Sequence, residues 1–464
     1  MIFSSLTFLQ GFLPLCLLIY FLVPRQRKNL VLLLASLFFY SWGEPIYVVL
    51  MIFSTLLDYC CGRAAEKYRG TKKAKAYLII SLVLSLGMLG VFKYANFFAE
   101  SFAAVFGLKI AALNIALPIG ISFYTFQLIS YVIDVYRADV EPQRDYVAFA
   151  AYISMFPQLI AGPIVRYSDI EAELTARAYG ADKAAYGARR FILGLGKKVL
   201  IANVLAELVN AFKASGEKST LFYWIYAAAY MLHVYFDFSG YSDMAIGLGS
   251  IFGFTFPENF NYPYIAASIT EFWRRWHMSL SSWFRDYVYI PLGGSRVKKP
   301  RALLNIATVW MLTGLWHGAD WNFVMWGIMF AALLIAEKTL LLGFIKKHRA
   351  IGHAYTLLVV MLCFIMFDAS SVGEGFAAIA ALFGANAADN TEALYYLKSY
   401  AVPLTVAAFG ATPLPKRIKA KLEATRIGGA IMAIAEPVAL AALLCLCTAY
   451  LIDGSFNPFL YFRF

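Results

Sequence analysis

Three of the five histidines in this chain, His233, His277 and His317, are embedded in apolar sequence, whereas His348 and His353 sit in or beside a basic loop. His317 has the setting best suited to chemistry. It lies in "LTGLWHGADWNF" (Leu312 to Phe323), among tryptophans and at a glycine-marked break between two apolar runs. An imidazole titrates near pH 6.5, so at neutral pH it can take a hydroxyl or thiol proton and return it to a leaving group. Trp316 and Trp321 are expected to wall a dry pocket, Gly318 to let a ligand or backbone approach closely, and Asp320 or Asn322 to orient something polar. Asp320 also reads as the N-cap of the following helix. His317 has a plainer reading too, as a packing residue bonded to a neighbouring helix, although ionisable groups at membrane depth are functional candidates by default.

His277 comes with Glu271, Arg274, Arg275, Arg285 and Asp286, whose spacing spreads charge around a helix instead of confining it to one face. Two readings stay open: an interfacial helix whose charges snorkel to water, or a helix lining a water-filled cavity. HExxH, GxSxG, P-loop and GxGxxG patterns in the right context are absent from the sequence, so nothing in it supports metal catalysis, familiar serine hydrolysis or nucleotide hydrolysis. The six cysteines lie mostly in apolar runs and have neither metal-ligand spacing nor a disulfide framework.

The elements that must position these residues are membrane helices. The chain has 464 residues, 61% of them hydrophobic and only 15% charged, where soluble domains carry roughly a quarter charged residues. Apolar stretches of about 17 to 25 residues, enough to cross ~30 Å of hydrocarbon, recur along the whole length. One polytopic all-α membrane domain over 1–464 is expected, ending in a final span and aromatic tail over 431–464. The net charge of +12 is gathered in short loops such as Arg25 to Lys28, Arg63 to Lys75, Arg166 to Lys198, Arg296 to Arg301, Lys346 to Arg349 and Lys416 to Arg426. These read as positive-inside loops, not as a nucleic-acid surface. They put both termini outside and predict an even count of about 10 to 12 crossings.

Two stretches break the pattern. "FPQLIAGPIVRY" holds Pro157, Gly162 and Pro163, which would interrupt a helix, so a re-entrant or interfacial segment is expected. Tyr262 to Ile290 is aromatic yet crowded with charge. As a free span it would be very unfavourable, at about 2.5 to 3.5 kcal/mol per central charge, and a helix dipping into a cavity is expected instead.

Six segments, in order, carry a resemblance: "FYTFQLISYVIDVYR" (Phe123 to Arg137), "MFPQLIAGPIVRY" (Met155 to Tyr167), "YFDFSGYSDMAIGLG" (Tyr235 to Gly249), "FWRRWHMSLSSWFRDYVYIPLGG" (Phe272 to Gly294), "GLWHGADWNFVMWG" (Gly314 to Gly327) and the terminal "GSFNPFLYFRF". The chain resembles membrane-bound O-acyltransferases, in particular the bacterial alginate O-acetylase and peptidoglycan O-acetyltransferase branch, to which the teichoic acid D-alanyl transferase is related. The resemblance implies a ring of tilted helices and re-entrant pieces around a central tunnel. It also implies that His317 is the family's essential histidine, a general base. His277 would hold the second signature position, which is Asn or Asp in many eukaryotic members, in an orienting or structural role.

The resemblance further implies a multi-pass protein of the bacterial inner membrane. It would use acetyl-CoA or another acyl thioester as donor substrate, with no bound cofactor and no metal. The acceptor would be an extracytoplasmic polysaccharide, alginate-like or of the cell wall, reached through a secreted or membrane-anchored SGNH-type partner. Trp316, Trp321, Asn322, Arg274 and Arg275 are the candidates for lining the tunnel. Tyr461, in the aromatic tail, is a candidate acyl relay; the alternative is an interfacial anchor. A transporter or flippase, or a non-catalytic scaffold for polymer secretion, are the readings from other classes. Transporters usually show repeated hydropathy halves, and none is visible here.

Overall fold

The computed structural model describes the whole chain except residues 110, 112, 114, 386–388 and 454–464. Among the described residues every regular element is helical. Five helices are long and apolar enough to cross a membrane: Tyr47–Lys67, Lys72–Phe106, Trp321–Lys347, Arg349–Asp368 and Arg426–Ile452. Shorter apolar helices occur at Thr7–Leu22, Val372–Gly384 and Ala401–Gly410. The 10 to 12 crossings expected from hydropathy exceed this set because several runs counted as spans are short or carry polar groups.

The described residues pack as two compact units, Met1–Phe191 with Met244–Pro257, and Ile192–Asp243 with Glu258–Phe464. In the first, helices Tyr47–Lys67, Lys72–Leu89 and Ile121–Arg137 pack against one another. Inside this apolar group the Ser85 hydroxyl donates to the Asp58 carboxylate at 2.9 Å.

"FPQLIAGPIVRY" is broken and buried, as its prolines and glycine predict. Helices Tyr146–Ser154 and Phe156–Leu159 are short, and irregular backbone follows. Buried irregular backbone is tolerated at membrane depth only when its polar groups are satisfied by protein or water. Side chains do that here: Gln158 Nε2 donates to Tyr152 O at 2.6 Å, the Tyr152 hydroxyl to Val165 O at 3.0 Å, and the Phe156 amide to Ser36 Oγ at 3.1 Å.

In the second unit, the span expected at Leu221 to Phe238 is part of a longer helix, Thr220–Ile251, that runs straight through the glycine-rich stretch. Gly240 is a contact surface, not a break: a Cβ there would lie 2.8 Å from Gly194 O. Lys198, expected in a basic loop, is instead inside a wider helical turn, Lys197–Ala202, and pairs with Asp237 at 2.5 Å, with side chains 2% and 1% exposed. Lys197 pairs with Asp243 at 2.6 Å. These cations neutralise intramembrane carboxylates that hydropathy alone leaves without partners.

Tyr262 to Ile290 is not one dipping helix. It consists of a 3-10 turn at Pro263–Ile265, helices Ile269–Trp273 and Met278–Phe284, and a wide turn at Arg285–Tyr289. Fragmentation keeps its charges off the core. Arg274 is exposed, Arg275 pairs with Glu271 at 3.0 Å, and Arg285 pairs with Asp286 at 2.6 Å.

Candidate active site

His317 is the last residue of helix Lys299–His317. Gly318 then turns extended, and Asp320 starts helix Trp321–Ala336 by accepting the Trp321 amide at 2.6 Å. The capping role weighed for Asp320 is therefore what its carboxylate performs, satisfying a donor that has no partner within the helix.

The two helices form a hairpin of unusually close approach. A Cβ at Gly314 would meet Phe323 O at 2.4 Å, and one at Gly327 would meet Trp310 O at 2.4 Å. Small residues at such a crossing let backbones touch. At Gly318 the close neighbour is the Phe323 ring, 2.1 Å from a notional Cβ.

This hairpin buries His317 in an aromatic cage. The imidazole centroid lies 5.0 Å from Trp316, 5.0 Å from Trp326 and 5.5 Å from Phe367, each ring presented edge-on at about 80°. Trp321, expected as a wall, is 56% exposed. Trp326 takes its place, because it lies beside Gly327 on the face that meets the preceding helix. Asn322 is buried, and its amide donates to Ala369 O at 2.7 Å and Phe367 O at 3.4 Å. It thereby caps the end of helix Arg349–Asp368 and holds Phe367 against His317.

Trp316 also carries the second histidine, its ring centroid 6.0 Å from that of His277. His277 separates helices Ile269–Trp273 and Met278–Phe284 and sits in the left-handed region, φ 44° and ψ 54°. It is fully buried, with Phe238 edge-on at 4.7 Å. Its Nδ1 faces Asn259 Oδ1 at 3.2 Å. Asn259 Oδ1 also accepts the Ser279 amide at 3.2 Å and the Ser279 hydroxyl at 2.9 Å, while the Met278 amide donates to Asn259 O at 3.0 Å.

The helix before His277 is anchored by a buried carboxylate. Glu337 accepts the amides of Ile269 at 2.5 Å and Thr270 at 2.9 Å, at the positive end of Ile269–Trp273. Ser268 adds a side-chain cap by accepting the Glu271 amide at 3.0 Å. Asn259, Trp326, Phe367 and Glu337 are thus site-forming residues that the motifs alone do not reveal.

Of the tunnel candidates Arg274 and Arg275, the first is exposed, and the second pairs with Glu271 and donates to Asn261 O at 3.1 Å. Two other histidines are bonded to backbone, His233 to Ala202 O at 2.8 Å and His353 to Ala266 O at 3.1 Å. His353, read as in or beside a basic loop, is inside helix Arg349–Asp368, and His348 is exposed. Tyr461 lies outside the described residues. Among the described residues no group of three or more His, Cys, Asp or Glu side chains is placed to hold a metal ion.

This chain thus sets two buried imidazoles against one indole, in a fold whose described elements are all helical. It belongs to the membrane-bound O-acyltransferase family, whose model matches residues 142–368, a span that contains both histidines. The chain is therefore a multi-pass membrane acyltransferase. It is 40% identical to a probable alginate O-acetylase of Azotobacter vinelandii over the full length of both chains. It is 34% identical to a peptidoglycan O-acetyltransferase of Helicobacter pylori, over 76% of this chain and 71% of that protein. A teichoic acid D-alanyltransferase of Bacillus subtilis is 32% identical over 48% of this chain and 59% of its own.

Proposed function

We propose that this protein is an O-acetyltransferase that draws acetyl groups from a cytoplasmic thioester, acetyl-CoA, for O-acetylation of an extracytoplasmic polysaccharide. The observation that carries the reading is His317, a buried imidazole at a helix end in an aromatic cage, within a chain whose full-length relative bears an alginate O-acetylase name. His317 takes the proton of an acceptor hydroxyl as its oxygen attacks the thioester carbonyl. The C–S bond then breaks, and the departing thiolate receives that proton from the imidazolium. Aromatic walls exclude water, which would otherwise hydrolyse the thioester.

The helices ending at His317 and Asp368 both start beside basic loops, Arg296 to Arg301 and Lys346 to Arg349. By the positive-inside rule those starts are cytoplasmic and the histidine end lies toward the outer face of the inner membrane. Both termini are outside on the same rule. The acceptor polymer, alginate-like or of the cell wall, is served through a secreted or membrane-anchored SGNH-type partner.

The test is transfer of label from labelled acetyl-CoA by the purified protein, with mass spectrometry of acceptor and protein. His317→Ala should abolish transfer while CoA binding persists, and retained transfer would end the general-base role. Label found on Tyr461, and lost in Tyr461→Phe, would make the aromatic tail the first acceptor.

A further inference from the structure

The orientation of Asn259 is settled by its neighbours. The Ser279 amide is a donor only, and it points at the Asn259 side-chain atom that also faces His277 Nδ1. That atom must be the oxygen, and the amide nitrogen correspondingly donates to Ser242 Oγ at 3.1 Å. An oxygen with no hydrogen cannot donate, so the proton between Asn259 and His277 belongs to Nδ1. Nε2 of the neutral ring is then the lone-pair nitrogen. It is buried and has no hydrogen-bond partner among the described residues. A buried acceptor without a donor is costly and calls for an explanation.

We propose that Asn259 is a positioning residue, holding His277 in the Nδ1–H tautomer so that Nε2 accepts a hydrogen bond from an O–H or N–H group of bound substrate. Backbone geometry supports the same role. The Met278 amide donates to Asn259 O at 3.0 Å, and the Asn261 amide donates to Arg275 O at 2.9 Å. The irregular strand of chain around Asn259 thus splints the left-handed turn and fixes the ring direction. This is the arrangement by which an outer partner orients a metal-binding or catalytic imidazole. The substrate assignment rests on the function proposed above; the tautomer does not.

The experiment is nitrogen NMR of the full chain in nanodiscs with ring-labelled histidine, the His277 signals being those lost in His277→Asn. The wild type should show protonated Nδ1 and unprotonated Nε2. Asn259→Asp should keep that pattern and Asn259→Leu should lose it. Protonated Nε2 in the wild type, or an unchanged pattern in Asn259→Leu, overturns the proposal.

Acetyl transfer is measured on the same samples. Asn259→Leu should lose roughly 10- to 100-fold in activity, with Asn259→Asp recovering most of it. A fall in kcat alone assigns the bond to the acceptor hydroxyl, and a rise confined to the KM for acetyl-CoA assigns it to an amide of the thioester arm. Unchanged kcat and KM in Asn259→Leu overturn the substrate role. If the wild type turns over no acetyl-CoA, the functional reading falls while the NMR result still decides the tautomer.

Discussion

The carboxylate of Glu337 accepts both the amide of Thr270, at 2.9 Å, and its hydroxyl, at 2.8 Å. Because Glu337 is fully buried, this pair ties the short helix before His277 to the long helix that follows His317. Removing the carboxylate leaves buried backbone donors without partners, at a cost of about 1–3 kcal/mol each. Glu337→Ala is therefore expected to lower the thermal unfolding midpoint in detergent and to weaken transfer. Glu337→Gln, which keeps one acceptor oxygen, should fall between that variant and the wild type.

Trp321 and Trp326 separate packing from mere adjacency to His317. Trp326→Ala opens the cage and should cost about 3–5 kcal/mol, the usual range for a buried tryptophan. Trp321→Ala should stay within about 0.5 kcal/mol, as exposed positions do. Thermal melts of the two variants, run beside acetyl-transfer rates, check this. Equal effects would mean that Trp321 does wall the site.

The hairpin can be wedged apart. Gly314→Val places side-chain atoms where Phe323 O lies 2.4 Å from a Cβ, so the helices must separate. Overpacking of this kind costs about 1–3 kcal/mol, and more when backbone has to move. Transfer should fall together with stability, because the same crossing sets Trp326 against His317. His317→Gln provides the contrast: transfer falls ~10²–10⁴-fold with the melting midpoint almost unchanged.

Lys198 and Asp237 should behave as a unit. Asp237→Leu or Lys198→Met alone removes one half of a buried ion pair, which costs about 3–5 kcal/mol. The double variant removes both charges and should recover most of that loss. A double-mutant cycle on unfolding midpoints reads the coupling directly.

Local chemistry was legible wherever the signal sat within one turn of the residue concerned. Gly318 and Asp320 mark the end of one helix and the start of the next, and His317 falls at that boundary as expected. Pro157 and Gly162 likewise announce the broken segment. Long-range features were not legible. Trp326, and not Trp321, faces His317 because Gly314 and Gly327 set the hairpin crossing, which no spacing rule contains. The charges around His277 suggested a single helix because their periodicity is compatible with one. The left-handed turn that breaks it depends on Asn259 in a distant irregular segment and on Glu337 in another helix. Polar partners of this type come from parts of the chain that sequence order keeps apart.

The left-handed backbone at His277 also acts as a filter on what evolution can place there. Among residues other than glycine, Asn, Asp and His are the types enriched in that region, and β-branched side chains are outliers. These three residue types share little acid–base chemistry, but all tolerate the same backbone conformation and all can make a short-range polar contact. The turn thus narrows position 277 to a small alphabet of residue types, with chemistry choosing among the letters that remain.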